Sequence, residues 1–203
     1  MCITYTVLLH GKILRMKISY TINEGKICIT PGEHDGMRKM VKVYNQCLPD
    51  VSFLHLKGKI PEKITSLFNG STEEGVIISV QFLEHNTCLE FESRQCWKMN
   101  YYPSVVSMQL MLASTRFLHR YENPAAINRV DIYIRPEKAL RLIKPAVMKL
   151  LQSNEVINLS EEENGMSLTK INGFLHRIIK KIEKPADKSL CTFFEKFIQS
   201  VTI

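Results

Sequence analysis

The sequence predicts an α+β protein, in which an antiparallel sheet of about six to eight strands carries helices on one face. Several short segments alternate apolar and polar residues with a period of two, which is typical of half-buried strands. Other segments repeat apolar residues every three or four positions, as amphipathic helices do. The 203 residues, 45% hydrophobic and 23% charged, are enough for a substantial core.

The first 68 residues predict three strands, a helix, a strand and a second helix. Ile3, Tyr5 and Val7 alternate with threonines, and His10-Gly11 supplies a tight turn. Pro61 stands where the first turn of a helix tolerates proline. In chain order the predicted elements are strands at 2–9, 12–20 and 26–30, a helix at 36–47, a strand at 52–59 and a helix at 61–68.

The next segment predicts the same order of elements, although residue identity between the two segments is low. Strands are expected at 76–82, 87–92 and 96–102, a helix at 103–121, a strand at 128–134 and a helix at 136–152 that Pro145 kinks or breaks. We therefore predict one α+β domain over 1–152, made of two similar halves at 2–68 and 75–143.

The C-terminal quarter predicts a linker and an amphipathic helical hairpin. Residues 153–165 are polar and contain Glu161-Glu162-Glu163, which indicates a solvated linker. Residues 166–203 form the hairpin, packed either on the domain or on a partner protein. The apolar residues predicted to bind a partner are Leu168, Ile171, Leu175, Ile178, Phe193, Phe194 and Phe197.

Catalytic and metal-binding motifs are not visible. The six cysteines form no CxxC pair, and no Cys/His cluster has zinc spacing. His34-Asp35 is the only histidine beside an aspartate, and a catalytic pair needs a third group and a pocket. We expect a non-enzymatic protein without catalytic residues, metal or cofactor.

The sequence lacks a signal peptide and any apolar run of the roughly 18–20 residues that span a bilayer. Its cysteines suit a reducing compartment. We therefore expect an intracellular protein of the cytosol or nucleus, without a membrane span.

The net charge of +7 favours acidic partners such as nucleic acid. Basic residues mark two surfaces, one on the N-terminal strands and one on the polar face of the first hairpin helix. The candidate nucleic-acid-binding residues are Lys12, Arg15, Lys17, Lys26, Arg177, Lys180 and Lys181. A solvated outer face is the alternative interpretation of both surfaces.

The segment Gly25-Lys26-Ile27-Cys28-Ile29-Thr30-Pro31-Gly32, before the expected 36–47 helix, resembles part of a TATA-binding-protein repeat. In that family a Gly-Lys turn and a strand ending in Thr-Gly precede the long helix. Phe91 stands where the family places an aromatic residue in the second copy, and Tyr20 lies near the equivalent place in the first. The resemblance implies a saddle-shaped sheet that meets DNA or a partner protein.

The second copy departs from that pattern. Arg94-Gln95-Cys96 replaces Gly-Lys, and Asn100-Tyr101-Tyr102 replaces Thr-Gly. Glu90 and Glu92 would also repel phosphates from the polar face of their strand. The leading hypothesis is a nucleic-acid-associated protein, such as a transcription or genome-maintenance factor. The alternative is a protein-interaction or scaffold subunit that uses the hairpin or the exposed sheet.

Overall fold

The computed structural model describes most of the chain as two six-stranded sheets and four helices. The described residues are 16–28, 41–60, 64–68, 71–82, 87–92, 97–102, 106–121, 125–160, 167–184 and 187–200. The mixed α+β content predicted from the sequence is confirmed. None of the helices in these ranges is long and apolar enough to cross a membrane.

The first sheet has the strand order β2-β1-β5-β10-β7-β8. Its strands are β1 (Met16–Asn23), β2 (Lys26–Cys28), β5 (Ile64–Phe68), β7 (Thr87–Glu92), β8 (Trp97–Tyr102) and β10 (Arg116–Tyr121). β1 and β5 are parallel, and the other neighbours are antiparallel.

The second sheet is antiparallel throughout and has the order β12-β9-β6-β11-β4-β3. Its strands are β3 (Val41–Cys47), β4 (Val51–Ile60), β6 (Val76–Phe82), β9 (Val106–Leu112), β11 (Ala125–Ile134) and β12 (Val156–Asn158). β6 and β11 lie in the interior of the sheet.

Four helices follow the last long strand. They are α1 (Pro136–Leu142), α2 (Pro145–Asn154), α3 (Leu168–Ile182) and α4 (Ser189–Gln199). Pro136 and Pro145 each begin a helix, in the turn where their missing N–H removes no helical hydrogen bond. The break expected at Pro145 is present. The Ser167 hydroxyl caps α3 by accepting a hydrogen bond from the Lys170 backbone N–H.

The helices cover one face of the second sheet, which we call its outer face. Phe53 of β4 and Ile132 of β11 belong to one buried core with Leu175 of α3 and Phe194 of α4. The rings of Phe53 and Phe194 meet edge to face at a centroid distance of 5.5 Å. The hairpin therefore belongs to the same hydrophobic core as the sheet.

The opposite face of the second sheet, its inner face, is buried as well, and the first sheet lies on that side. Ile77, Met111 and Tyr133 project from the inner face, and each is at most 1% exposed. The Ile27 N–H of β2 donates to the Ser52 hydroxyl of β4 at 3.1 Å, which joins the two sheets directly. The molecule is thus a β-sandwich with a helical layer on one side.

Three predicted helices are strands in the structure. Residues 41–47 form β3, residues 64–68 form β5, and the segment 103–121 contains β9 and β10. The last prediction failed because apolar residues on both faces of a buried strand also satisfy a spacing of three or four. The polar residues Ser107 and Gln109 alternate with Val106, Met108 and Leu110, which is the period of a strand.

The predicted duplication depended on the same order of strands and helices in both halves. Because these segments are strands, that order is not observed, and a two-half repeat is not seen. The segment 153–165 is also not a plain linker, since β12 pairs with β9 at the edge of the second sheet. Residues 2–9 and the N-terminal part of the 36–47 prediction lie outside the described residues.

We predict that Phe194→Ala lowers the free energy of unfolding by about 3–5 kcal/mol, because the ring is fully buried between hairpin and sheet. Leu168→Ala is the control, because Leu168 is 44% exposed. This substitution should change the free energy of unfolding by about 0.5 kcal/mol or less. Urea denaturation followed by circular dichroism measures both. A hairpin that unfolds in a separate transition would contradict the shared core.

Candidate functional site

Six polar side chains form two rows across three neighbouring strands of the inner face. In the first row Ser79 of β6 lies between its register partners Gln109 of β9 and Asp131 of β11. In the second row Gln81 of β6 lies between Ser107 of β9 and Arg129 of β11. We call these six residues the polar grid: Ser79, Gln81, Ser107, Gln109, Arg129 and Asp131.

Every member of the polar grid is buried. None of the six exposes more than 2% of its surface. Arginine, aspartate and glutamine are rarely buried to this degree, because removing their polar atoms from water is unfavourable unless partners replace the water. Ser107 Oγ has no hydrogen-bond partner among the described residues.

A charged pair lies at the β11 side of the grid. Arg129 Nε is 3.0 Å from Asp131 Oδ2, and the Ser79 hydroxyl donates to Asp131 Oδ1 at 2.7 Å. Burial lowers the pKa of Arg129, and the negative charge of Asp131 opposes that shift. The guanidinium stays protonated, so the two charges neutralise each other inside the sandwich.

Apolar residues border the grid. Met111, Ile77 and Tyr133 form the adjoining row across β9, β6 and β11, while Leu54 and Leu56 of β4 lie beside the charged pair. Burial raises the pKa of Tyr133 to about 12, and its hydroxyl donates to the Glu74 carbonyl oxygen at 2.7 Å. With strands ~4.8 Å apart and alternate residues ~7 Å apart, the grid measures about 10 by 7 Å.

On the outer face of the same sheet, His55 of β4 links the sheet to the end of α3. It is fully buried, stacks on Tyr44 and lies 2.9 Å from Asn128 Oδ1 through Nε2. Its Nδ1 is 3.7 Å from Glu183, which also pairs with Lys57 at 3.1 Å. Burial lowers the pKa of His55 below 6.5, although Asn128 and Glu183 act in the opposite direction.

Those predicted nucleic-acid-binding residues whose side chains the structure describes lie on two separate elements, β2 and α3. Lys12 and Arg15 lie outside the described residues, and only the backbone of Lys17 is described, in β1. Lys26 is exposed on β2 of the first sheet. The remaining three, Arg177, Lys180 and Lys181, lie on α3, which packs on the other sheet. Lys181 is bonded locally to Ser189 and Asp187.

The residues predicted to bind a partner protein are largely used by the chain itself. Of the seven, Ile171, Leu175, Ile178 and Phe194 are buried in the outer core and cannot contact a partner. Phe193 and Phe197 are half-buried, and both stack on Phe174. Leu168 is the member that is clearly exposed.

Sequence reasoning missed the polar grid, although a signal for it was present. In Val106-Ser107-Met108-Gln109-Leu110 and Val76–Phe82, polar residues stand at alternate positions of otherwise apolar runs. The same period places Arg129 and Asp131 on one face of β11. Reading 103–121 as a helix hid this pattern, because a helix would have distributed those residues around its axis.

No protein-family model and no curated protein matches the sequence. Among solved structures, the chain is similar to a cupin domain from Bordetella pertussis Tohama I, with TM-score 0.33 and 10% identity over 47% of this chain and 94% of that one. Vicilin from Corylus avellana gives TM-score 0.30 and 9% identity, covering 56% of this chain and 39% of vicilin.

A structure of Bacillus subtilis oxalate decarboxylase, whose description names its Mn(II) centres, gives TM-score 0.29 and 6% identity. The match covers 47% of this chain and 29% of that one. This chain therefore spans well under half the length of the vicilin and decarboxylase chains. At such scores the likeness carries no argument about activity.

The described residues do not fit a manganese centre. Groups of three or more His, Cys, Asp or Glu side chains that could hold a metal ion are absent from the described part of the chain. The carboxylate of the polar grid, Asp131, is already engaged by Arg129 and Ser79. Carboxylates are typical manganese ligands, and the polar grid contains no carboxylate besides Asp131.

The resemblance to the TATA-binding-protein repeat is wrong. That resemblance needs helices at 36–47 and 103–121, but the described parts of these segments form the strands β3, β9 and β10. A DNA saddle needs an open sheet face opposite its helices, but here the face opposite the helices is the buried inner face. The prediction of a nucleic-acid-associated transcription or genome-maintenance factor is wrong for the same reasons.

The lowered pKa of His55 predicts a pH-dependent stability. Because the unfolded chain binds this proton more readily than the folded protein, the contribution of His55 is complete above pH 6.5 and is lost as the pH falls through the folded pKa. The slope is at most ~1.4 kcal/mol per pH unit. His55→Gln should flatten the stability profile between about pH 7.5 and 5, measured by urea denaturation.

The exposed His176 of α3 provides the matched control, and His176→Gln should leave the wild-type profile unchanged. A His55→Gln profile that parallels the wild type would show that another group causes the pH dependence.

Proposed function

We propose that this chain is a binding domain for a small, uncharged, polar molecule, which lies against the polar grid between the two sheets, and that it is not an enzyme. One observation carries the proposal: six polar side chains lie fully buried and adjacent on the inner face of β6, β9 and β11. Their pattern of hydrogen-bonding groups is what a polar ligand requires.

The outer face of the same three strands shows what a purely structural face looks like here. Opposite the grid these strands carry Ile78, Val80, Met108, Leu110, Val130 and Ile132, all within the apolar core. Stability alone would favour the same composition on both faces, because replacing a buried ion pair by well-packed apolar residues is often neutral or stabilising. The polar composition of the inner face therefore supports a binding role.

The charged pair supports an uncharged ligand. Arg129 and Asp131 already neutralise each other at 3.0 Å. An anionic ligand would have to take Arg129 from Asp131, and a cationic one would have to take Asp131 from Arg129. Either would leave a buried charge unpaired, at a cost of about 3–5 kcal/mol.

The remaining groups support a ligand that both donates and accepts hydrogen bonds. Gln81 and Gln109 each carry an amide oxygen and an amide NH₂, and Ser107 carries a hydroxyl without a partner among the described residues. A molecule with several hydroxyl or amide groups offers the same mixture of donors and acceptors. The non-enzymatic role is supported by Asp131, whose carboxylate is held by Arg129 and Ser79 and is not poised as a base.

We predict that a neutral hydroxylated or amide compound raises the melting temperature of the protein. At 100 times its Kd such a ligand stabilises by ~2.7 kcal/mol, which corresponds to about 5–10 °C for a chain of this size. Differential scanning fluorimetry measures the melting temperature with each compound. The neutral compounds are polyols, monosaccharides, amides and nucleosides, and the charged compounds for comparison are short carboxylates and amines.

Gln109→Met should remove the shift while the protein stays folded, because it replaces an amide of the grid by an apolar group of similar size. Met111→Leu, two residues further on the same face of β9, is the control and should retain the shift. A shift produced only by carboxylates or amines, or one that survives in Gln109→Met, would overturn the proposal.

A further inference from the structure

We propose that a second site, separate from the polar grid, binds a small organic anion in a pocket at one end of the sandwich. The pocket has a volume of about 460 Å³. It is lined by Glu24, Gly25, Lys26, Cys47, Leu48, Pro49 and Arg135. That volume falls within the range of small-molecule sites.

Arg135 is fixed at this pocket by the turn between β1 and β2. Its Nη2 donates to the Glu24 carbonyl oxygen at 3.0 Å. Gly25 has φ +72°, and a Cβ at this position would lie 2.2 Å from Arg135 Nη2. The turn therefore requires glycine both for its backbone conformation and for the space that the guanidinium occupies.

The cations of the pocket have no carboxylate partner among the described residues. Within the described part of the chain, the Arg135 side chain donates one hydrogen bond, to a carbonyl oxygen, and the exposed Lys26 forms no ion pair. The acidic side chains nearby are Glu24, which also lines the pocket, and Glu73, which accepts the Gly25 N–H at 2.8 Å. Two cations against one lining carboxylate favour an anionic ligand, and a guanidinium suits the paired oxygens of a carboxylate or phosphate.

Part of the pocket lining is apolar. It consists of Leu48 and Pro49, at the turn between β3 and β4. A ligand that contacts both the cations and this apolar part has an anionic head, either carboxylate or phosphate monoester, and a short carbon body.

The pocket is distinct from the polar grid, although both lie along β11. Arg129, Asp131 and Tyr133 alternate on the inner face, and Arg135 comes next in that alternation with an extended backbone. The buried Tyr133 ring lies between the polar grid and Arg135, and its hydroxyl donates to the Glu74 carbonyl oxygen. The two proposals can therefore fail independently.

Cys47 provides a direct test, because its exposed thiol lines the pocket. Iodoacetate and iodoacetamide alkylate a thiolate in the same way: sulfur attacks the methylene carbon, a C–S bond forms, the C–I bond breaks and iodide leaves. The reagents differ in charge, so the ratio of their rate constants at one cysteine reports local attraction of an anion. Taking this ratio also cancels differences in thiol acidity, such as the pKa of about 11 to which burial raises Cys191.

Peptide mass spectrometry of the full chain gives the ratio at Cys47 and at Cys191. We expect the ratio of iodoacetate to iodoacetamide rates to be about fivefold higher at Cys47 than at Cys191, as the exposed Lys26 and the partly buried Arg135 together would produce. Butyrate and inorganic phosphate should slow both reagents at Cys47, whereas butyramide should not. Protection of Cys47 by butyrate but not by phosphate indicates a carboxylate ligand. Protection by phosphate but not by butyrate indicates a phosphate ligand.

Lys26→Gln and Arg135→Gln should each lower the ratio at Cys47 toward that at Cys191. Lys42→Gln, which removes an exposed cation from β3, is the matched control and should leave the ratio unchanged. Arg135 contacts the Gly25 turn, so Arg135→Gln also changes the packing of that turn. Lys26 is exposed, and Lys26→Gln is therefore the variant that tests whether the charge raises the ratio at Cys47. Equal ratios at both cysteines, an equal effect of Lys42→Gln, or protection by butyramide as strong as by butyrate would overturn the proposal.

Discussion

Strand β11 is the constraint on which the rest of the molecule depends, because both of its faces are buried but differ in chemistry. Its outer face, with Val130, Ile132 and Ile134, belongs to the core shared with the helices. Its inner face carries the buried pair Arg129 and Asp131. Since side chains alternate along a strand, a shift of one residue in register would place a charge in the apolar core, so this strand fixes the alignment of its neighbours β4 and β6.

The outer and inner faces of the second sheet make different kinds of contact. The outer face holds the helical layer through apolar contact, and Gln46 of β3 adds a polar attachment at the end of α3. Its Nε2 donates to the carbonyl oxygens of Lys181, Ile182 and Lys184 at 2.6–3.2 Å, at the C-terminal end of α3. With apolar packing supplied on this side, the inner face can carry buried polar groups, as the polar grid does. The same alternation continues to Arg135, where the chain leaves the sandwich.

Much of the fold class follows from the sequence, but the architecture and the site do not. The helices after Pro136 and Pro145 and the C-terminal hairpin were predictable from proline positions and from the spacing of Ile171, Leu175 and Ile178. β9 was not predicted, although Ser107 and Gln109 alternate with apolar residues, because Val106, Leu110, Ala113 and Phe117 of β9, β10 and the turn between them also recur at the helical spacing of three and four. The polar grid brings together residues of β6, β9 and β11 that lie between positions 79 and 131 of the chain. No local sequence pattern predicts which strands become neighbours in a sheet. His55 and Glu183, far apart in the chain, meet for the same reason.

The most direct test of the central claim is the stability of a variant in which the charged pair is replaced by apolar residues. Arg129→Met, Asp131→Leu and Ser79→Ala together remove the pair and the hydroxyl that supports it. If the polar grid serves a ligand, the triple variant is at least as stable as the wild type in urea, while Arg129→Met or Asp131→Leu alone loses about 3–5 kcal/mol. A triple variant as unstable as the single ones would show instead that the polar grid holds the sandwich together, and would contradict the account.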